Sequence, residues 1–241
     1  MNKDGQFHLQ APKRSEDVDL AEEQKRLRRR FVAGRKRGEK VGYSRGAMNM
    51  LLQFLRPGDL FLDCGANMGE VTGTLLPTGA DFVCFEPDPF CFAELTRQFG
   101  DHDRVDLRNV ALATKAGKAQ FFRHQDFDAD NRKTASTTMV AGKKNIGYGA
   151  ASFEAKLIDF PALVEKTLND RGEITVLKMD VEGAELDIVD EMMRRDLFDG
   201  IRVSLIETHE KQIPPLRERI RAMKARVAER YPEHKVCTEW L

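Results

Sequence analysis

Four acidic residues of this 241-residue chain stand where apolar runs stop: Asp63 after Leu60-Phe61-Leu62, Glu86 after Phe82-Val83-Cys84-Phe85, Asp180 after Ile174–Met179 and Glu207 after Ser204-Leu205-Ile206. A carboxylate at such a place can accept hydrogen bonds, hold a cation or take a proton. One or two placements of this kind arise by chance, but four on one rim need a reason. Behind Asp63 the chain breaks into Gly65-Ala66-Asn67-Met68-Gly69 before a helical pattern resumes. Glycines there permit positive φ and a close backbone approach, and the helix start offers unpaired N–H groups to a ligand. The spacing is not the Gly-x-Gly-x-x-Gly that cradles a dinucleotide pyrophosphate, and the neighbouring carboxylate repels phosphate. A ligand with a cationic centre fits better. Glu86 follows Asp63 by about 20 residues, near the place where an acid accepts bonds from ribose hydroxyls. Together these residues point to a nucleoside.

The second constellation is Lys178-Met179-Asp180-Val181-Glu182-Gly183-Ala184-Glu185. Strand alternation puts Lys178 and Asp180 on one face, and a lysine so close to a buried sheet requires an anion, for which Glu185 is the candidate. Glu182 and Glu185 also suit the first turn of a helix, where acids are favoured. Asp180 is the catalytic candidate. Glu207 and His209 leave the next strand, so Asp180, Glu207 and His209 are expected to converge, either as an acid/base set or as ligands of a divalent ion such as Mg²⁺. A histidine near a strand end is more often structural, and no spacing as specific as His-x-x-x-His supports the metal.

These residues need a sheet to position them. Short apolar runs predict strands over 59–63, 81–86, 105–113, 174–180 and 202–206, with helices over 69–76, 87–99, 161–168, 185–195 and 214–230 between and after them. Strands over 118–124 and 153–157 should pair with each other, and 234–240 suggests a last strand. Before the glycine turn, Met48, Leu51, Leu52 and Leu55 recur at helical spacing and should pack on the sheet. Alternating strands and helices imply right-handed crossovers and a doubly wound, mostly parallel α/β sheet, which binds ligands beyond the carboxyl ends of its strands. Residues 1–44 read as a charged tail with a helix over 15–33 and a basic stretch over 25–40, and 45–241 as the ligand-binding domain. The polar segment 125–151, with Thr134, Ser136, Thr137 and Thr138, is too long for a plain connector and reads either as a cover over an acceptor or as a disordered insert.

Bulk composition narrows the classes. Thirty-nine basic residues balance thirty-nine acidic ones, so no global field draws the chain to nucleic acid. No apolar run approaches a membrane span, and no leader-like segment opens the chain. The four cysteines form no C-x-x-C pair and three sit in or beside apolar elements, which favours a reducing, cytoplasmic setting.

The segments FLDCGANMGEVT, VCFEPDPF, NVALATKAGKAQFF, ITVLKMDVEGAELDIV and SLIETHE, in this order, resemble the FkbM family of S-adenosylmethionine (SAM)-dependent methyltransferases. The resemblance covers residues 60–209. It implies a Rossmann-like class I methyltransferase fold and methyl transfer to a hydroxyl oxygen of a small molecule or sugar. By position it implies that Asp63, Gly65, Asn67 and Gly69 contact the methionine part of SAM, that Glu86 binds the ribose and that Asn109 and Ala111 lie near the adenine. Asp180 and Glu182 would then sit beside the transferring methyl, with His209 close by. Two features depart from the family pattern: the basic amino-terminal arm, and a chain that ends soon after the fifth crossover helix, where an antiparallel hairpin usually closes the sheet. A catalytically inactive nucleoside-binding module is the reading from another class. A nucleic-acid methyltransferase is disfavoured by the zero net charge and by the lack of a Pro-Pro-Tyr-type motif to stack a flipped base.

Overall fold

The computed structural model describes residues 42, 44–123, 138 and 151–240. The expected helix 15–33, the basic stretch 25–40 and the polar segment 125–151, apart from Thr138 and Ala151, lie outside the described residues. The described residues from 44 to 240 form one compact unit.

Helix α1 (44–54) leads into β1 (Leu60–Cys64). Then come α2 (Glu70–Leu75), β2 (Asp81–Phe85), α3 (Pro89–Phe99), β3 (Val105–Arg108), β4 (Ala111–Ala113), β5 (Gly117–Phe122) and β6 (Ser152–Asp159). The chain continues through α4 (Phe160–Arg171), β7 (Ile174–Met179), α5 (Glu185–Arg194), β8 (Ile201–Ile206), α6 (Arg217–Arg230) and β9 (Val236–Cys237). Six strands make one sheet in the order β3-β2-β1-β7-β8-β9, every pairing parallel. Numbered within this sheet alone, the order is 3-2-1-4-5-6, the doubly wound Rossmann-like arrangement whose reversal lies between the first and fourth strands, here β1 and β7.

All residues of β1 and β7 are buried, as strands covered on both faces must be. Alternation sends Leu60, Leu62, Leu177 and Met179 into the core on one face and Phe61 and Val176 into that on the other. Leu51 and Leu55 of the α1 segment join the second core, but Leu52, expected to face inward, is exposed.

Two boundaries differ from expectation. The run 105–113 is two strands in two sheets: β3 pairs with β2, whereas β4 joins a second, three-stranded sheet ordered β4-β6-β5. The break falls at Asn109, whose side-chain amide donates to the carbonyls of Glu86 (2.9 Å) and Pro87 (3.3 Å) and so pins the chain as it leaves the main sheet. β5 and β6 pair with each other, as expected, and do so antiparallel, with Phe121 opposite Phe153. At the far edge, the expected strand over 234–240 reduces to β9, parallel to β8, and no antiparallel hairpin closes the main sheet among the described residues. The four cysteines are free and buried, and no described helix is long and apolar enough to cross a membrane.

Candidate active site

The site begins at the exit of β1. Gly65 and Ala66 both donate N–H bonds to the Phe85 carbonyl (3.0 Å each), which holds the turn against the end of β2. Gly65 has φ +80°, and a Cβ there would overlap the Asp180 carbonyl oxygen and lie 2.9 Å from its carbon. Asn67 is also left-handed (φ 49°), a conformation asparagine tolerates better than most residues, and its N–H donates to Glu86 Oε2 at 2.8 Å. Gly69 is required for packing: at φ +86° it precedes α2, and a Cβ would press on Phe99 and Leu95 of α3. Its role is therefore to seat the helix, apart from the cleft lining.

Asp63 turns inward. It is fully buried, accepts a bond from Thr72 Oγ1 (2.8 Å) and lies 3.1 Å from Lys178 Nζ. Lys178 also donates to the Gly65 carbonyl at 2.5 Å. Burial opposes the lysine's charge, but Asp63 and Asp180 outweigh it and raise its pKa. The expected Lys178–Glu185 pair is thus replaced by Lys178–Asp63, because β1 and β7 are neighbours with Asp63 in register with Lys178.

A cleft opens between these strand ends and the small sheet. Gly65, Asn67, Phe85, Glu86, Val110, Ala111, Leu112 and Phe121 line it on one side, Asp180, Val181, Glu182 and Ala184 on the other. The space between its walls, open mouth included, is about 580 Å³. Glu86 is buried, and its two oxygens accept the N–H bonds of Asn67 and Asp88 (2.8 Å each). Burial pushes its pKa up to about 7 against those bonds. Asn109 supports this wall from behind without lining the cleft.

Beyond Asp180 the second constellation assembles, with one exchange of partners. His209, at 3% exposure, has Nε2 at 2.9 Å from Glu182 Oε2 and 3.5 Å from Asp180 Oδ1, while Nδ1 lies 2.8 Å from Glu185 Oε1. Burial works against a charged imidazole, but Glu182 and Glu185 override it and raise the pKa to about 11. His209 therefore bridges Glu182 and Glu185. Asp180's own pKa is raised, by burial first, with Lys178 opposing. Asp180, Glu182 and His209 bring three ligand atoms within 4.8 Å of one another. Glu207, expected in this set, is not among those three.

Sequence reasoning missed the apolar wall of Val110, Leu112 and Phe121, and the inward role of Glu185. It also missed what Thr138 does: buried, its hydroxyl donates to the Glu182 carbonyl at 2.6 Å, and its backbone bridges Phe122. Local pattern carries no signal for such contacts, since each joins segments far apart in the chain.

Comparison with known proteins gives one sequence relative and two solved structures. Over 171 residues the chain is 28% identical to the 2-O-methyltransferase NoeI of Sinorhizobium fredii (strain NBRC 101917 / NGR234), covering 66% of this chain and 69% of that one. Among solved structures, a Clostridium thermocellum protein described as an rRNA-methylase aligns over 76% of this chain and 79% of its own, at TM-score 0.39 and 12% identity. A Burkholderia thailandensis 1,6-didemethyltoxoflavin-N1-methyltransferase, solved with its substrate and S-adenosylhomocysteine, aligns over 68% and 84% at TM-score 0.21 and 18% identity. Scores this low leave the assignment to the family match, and since the model of the methyltransferase FkbM domain matches residues 63–229, well over half of the chain, the protein belongs to that methyltransferase family.

Proposed function

We propose that the protein binds SAM in this cleft and transfers its methyl group to a hydroxyl oxygen of a small-molecule or glycan acceptor. One observation carries the reading: three carboxylates, Glu86, Asp180 and Glu182, and no lysine or arginine line the cleft among the described residues. Such a lining favours a ligand with positive charge and hydroxyl donors, and disfavours the pyrophosphate of NAD. NoeI, named for 2-O-methylation, supports oxygen as the methyl acceptor.

Bound there, SAM would supply an electrophilic methyl group on a sulfonium. Glu86 would accept hydrogen bonds from ribose hydroxyls through the lone pairs its two backbone donors leave free. Gly65 and Asn67 would let the backbone approach the ligand's tail, and Val110, Ala111, Leu112 and Phe121 would cover the base and exclude water. Asp180, on the opposite wall, would hold the acceptor hydroxyl and receive its proton as the methyl is transferred. Most of the acceleration would come from orientation of the two reactants.

Calorimetry on the full-length chain with SAM, S-adenosylhomocysteine and NAD tests the first half of this reading, and methyl release over a panel of glycans, small alcohols and RNA the second. SAM and S-adenosylhomocysteine should bind and NAD should not. Tight NAD binding, or methylation of RNA alone, would overturn it.

A further inference from the structure

We propose that Asp180, Glu182 and His209 form a binding site for a divalent first-row transition-metal ion at the acceptor side of the cleft. The inference rests on the reading above only for which side the acceptor occupies.

The distances would admit an ion. With metal–ligand bonds of about 2.0–2.2 Å, two ligand atoms at right angles are about 3.0 Å apart and two at the tetrahedral angle about 3.4 Å. The observed separations from His209 Nε2 are 2.9 Å to Glu182 Oε2 and 3.5 Å to Asp180 Oδ1. Asp180 Oδ1 is buried and accepts no hydrogen bond, so an acceptor atom is left facing the spot an ion would fill. The histidine is prepared for the role. Its Nδ1 is engaged by the fully buried Glu185, whose other oxygen is fixed by the Gly183 N–H at 2.7 Å, so Nε2 is the nitrogen turned toward Asp180 and Glu182. A carboxylate behind a ligating imidazole is the usual support of a metal-bound histidine. Three carboxylates around one imidazole make this point favourable for positive charge.

The donor set selects the metal. One imidazole nitrogen with two carboxylate oxygens suits Mn²⁺, Fe²⁺, Co²⁺ or Zn²⁺, whereas Mg²⁺ prefers oxygen ligands alone. Asp180 and Glu182 also line the cleft, so positions left open on the ion would face the acceptor. Asp180 would then be a metal ligand, and the acceptor hydroxyl would be oriented by the ion.

The test is a CoCl₂ titration of the tag-free full-length chain after chelator treatment, followed by visible absorption, with circular dichroism as a folding control for each variant. One Co²⁺ per chain should bind with ligand-field bands, and a large excess of Mg²⁺ should not displace it. His209→Asn and Glu182→Gln should each weaken binding by roughly 100-fold or more, and Glu185→Gln by about 10–100-fold. Glu207→Gln should leave it unchanged. Should His209→Asn unfold, Glu182→Gln, at the cleft surface, decides the matter. The absence of saturable bands, or bands that survive Glu182→Gln or a folded His209→Asn, would overturn the site. Calorimetry with SAM on the cobalt-free chain separates the two readings: SAM binding without cobalt binding removes the metal alone, and cobalt binding without SAM binding removes the cofactor alone.

Discussion

Gly65→Ala is the most direct perturbation of the architecture on which the cleft depends. Two penalties act there. A non-glycine residue at φ +80° pays roughly 1–2 kcal/mol for the left-handed conformation. The new methyl also meets backbone, the Asp180 carbonyl, which cannot swing aside as a side chain would. Relief requires the ends of β1 and β7 to separate, stretching the Asp180 N–H bond to the Cys64 carbonyl (2.9 Å) and the Lys178 bond to Gly65. Each buried bond so broken costs about 1–3 kcal/mol. The expected loss is therefore about 3–8 kcal/mol, a large part of the roughly 5–15 kcal/mol that holds a domain folded. Gly58→Ala is the control, since it carries the same kind of strain at φ +93° with nothing within 4 Å of the added carbon. It should cost only about 1–2 kcal/mol. Urea unfolding of the three full-length chains measures the difference, and calorimetry should find SAM binding lost in Gly65→Ala and kept in Gly58→Ala. Equal destabilisation by the two substitutions would refute the reasoning, because the close approach of the two strand ends would then carry no energy.

Three further outcomes are expected. Because Glu86 titrates near pH 7 in the folded chain against 4.5 normally, its contribution to stability is full below pH 4.5 and is lost as the pH rises through 7. SAM affinity, which needs the ionised carboxylate, should climb over the upper part of that interval, and Glu86→Gln should abolish both slopes while weakening SAM by about 10–150-fold; a pH-independent affinity in the parent chain would count against the ribose contact. Lys178→Met strands the Asp63 charge at 0% exposure and should cost about 3–5 kcal/mol in urea unfolding, with much of it recovered when Asp63→Asn is added; strictly additive losses would deny the pairing. Asp180→Asn should lower turnover by about 10²–10⁴-fold with little change in SAM affinity, and EDTA separates its roles: activity that survives chelation marks a proton acceptor, activity that Co²⁺ or Mn²⁺ restores marks a metal ligand.

The parts of the fold legible in the sequence are those that a local pattern enforces. Ile174–Met179 had to be a strand buried on both faces, because a short run that is apolar save for Thr175 and Lys178 and is bounded by turn residues suits a covered strand. Gly65 and Glu86, expected at a strand-end rim from a glycine turn and an acid behind an apolar run, both line the cleft. Asp63 looked alike in sequence and proved different. Whether a strand-end carboxylate faces a ligand or the core depends on the neighbouring strand, and Lys178 becomes that neighbour only when β7 is placed beside β1, across more than a hundred intervening residues. The same ignorance of pairing favoured Glu185 as the partner of Lys178. The break at Asn109 was hidden for a related reason: its amide caps carbonyls at the end of β2, a contact that no periodicity within residues 105–113 records.

One peptide joins the two halves of the site. The Gly65 N–H is bonded to the end of β2, its carbonyl receives Lys178 from β7, and its Cα is pressed against the Asp180 carbonyl. The wall bearing Glu86 and the wall bearing Asp180 therefore cannot shift independently, since any movement of one reaches the other through a contact with no room to spare. Methyl transfer makes this rigidity useful: the reacting atoms must meet nearly in line, and a misplacement of about 1 Å can cost a factor of about 10² in rate. The sequence meets that demand with the one residue type that lets three strand ends close on a single point.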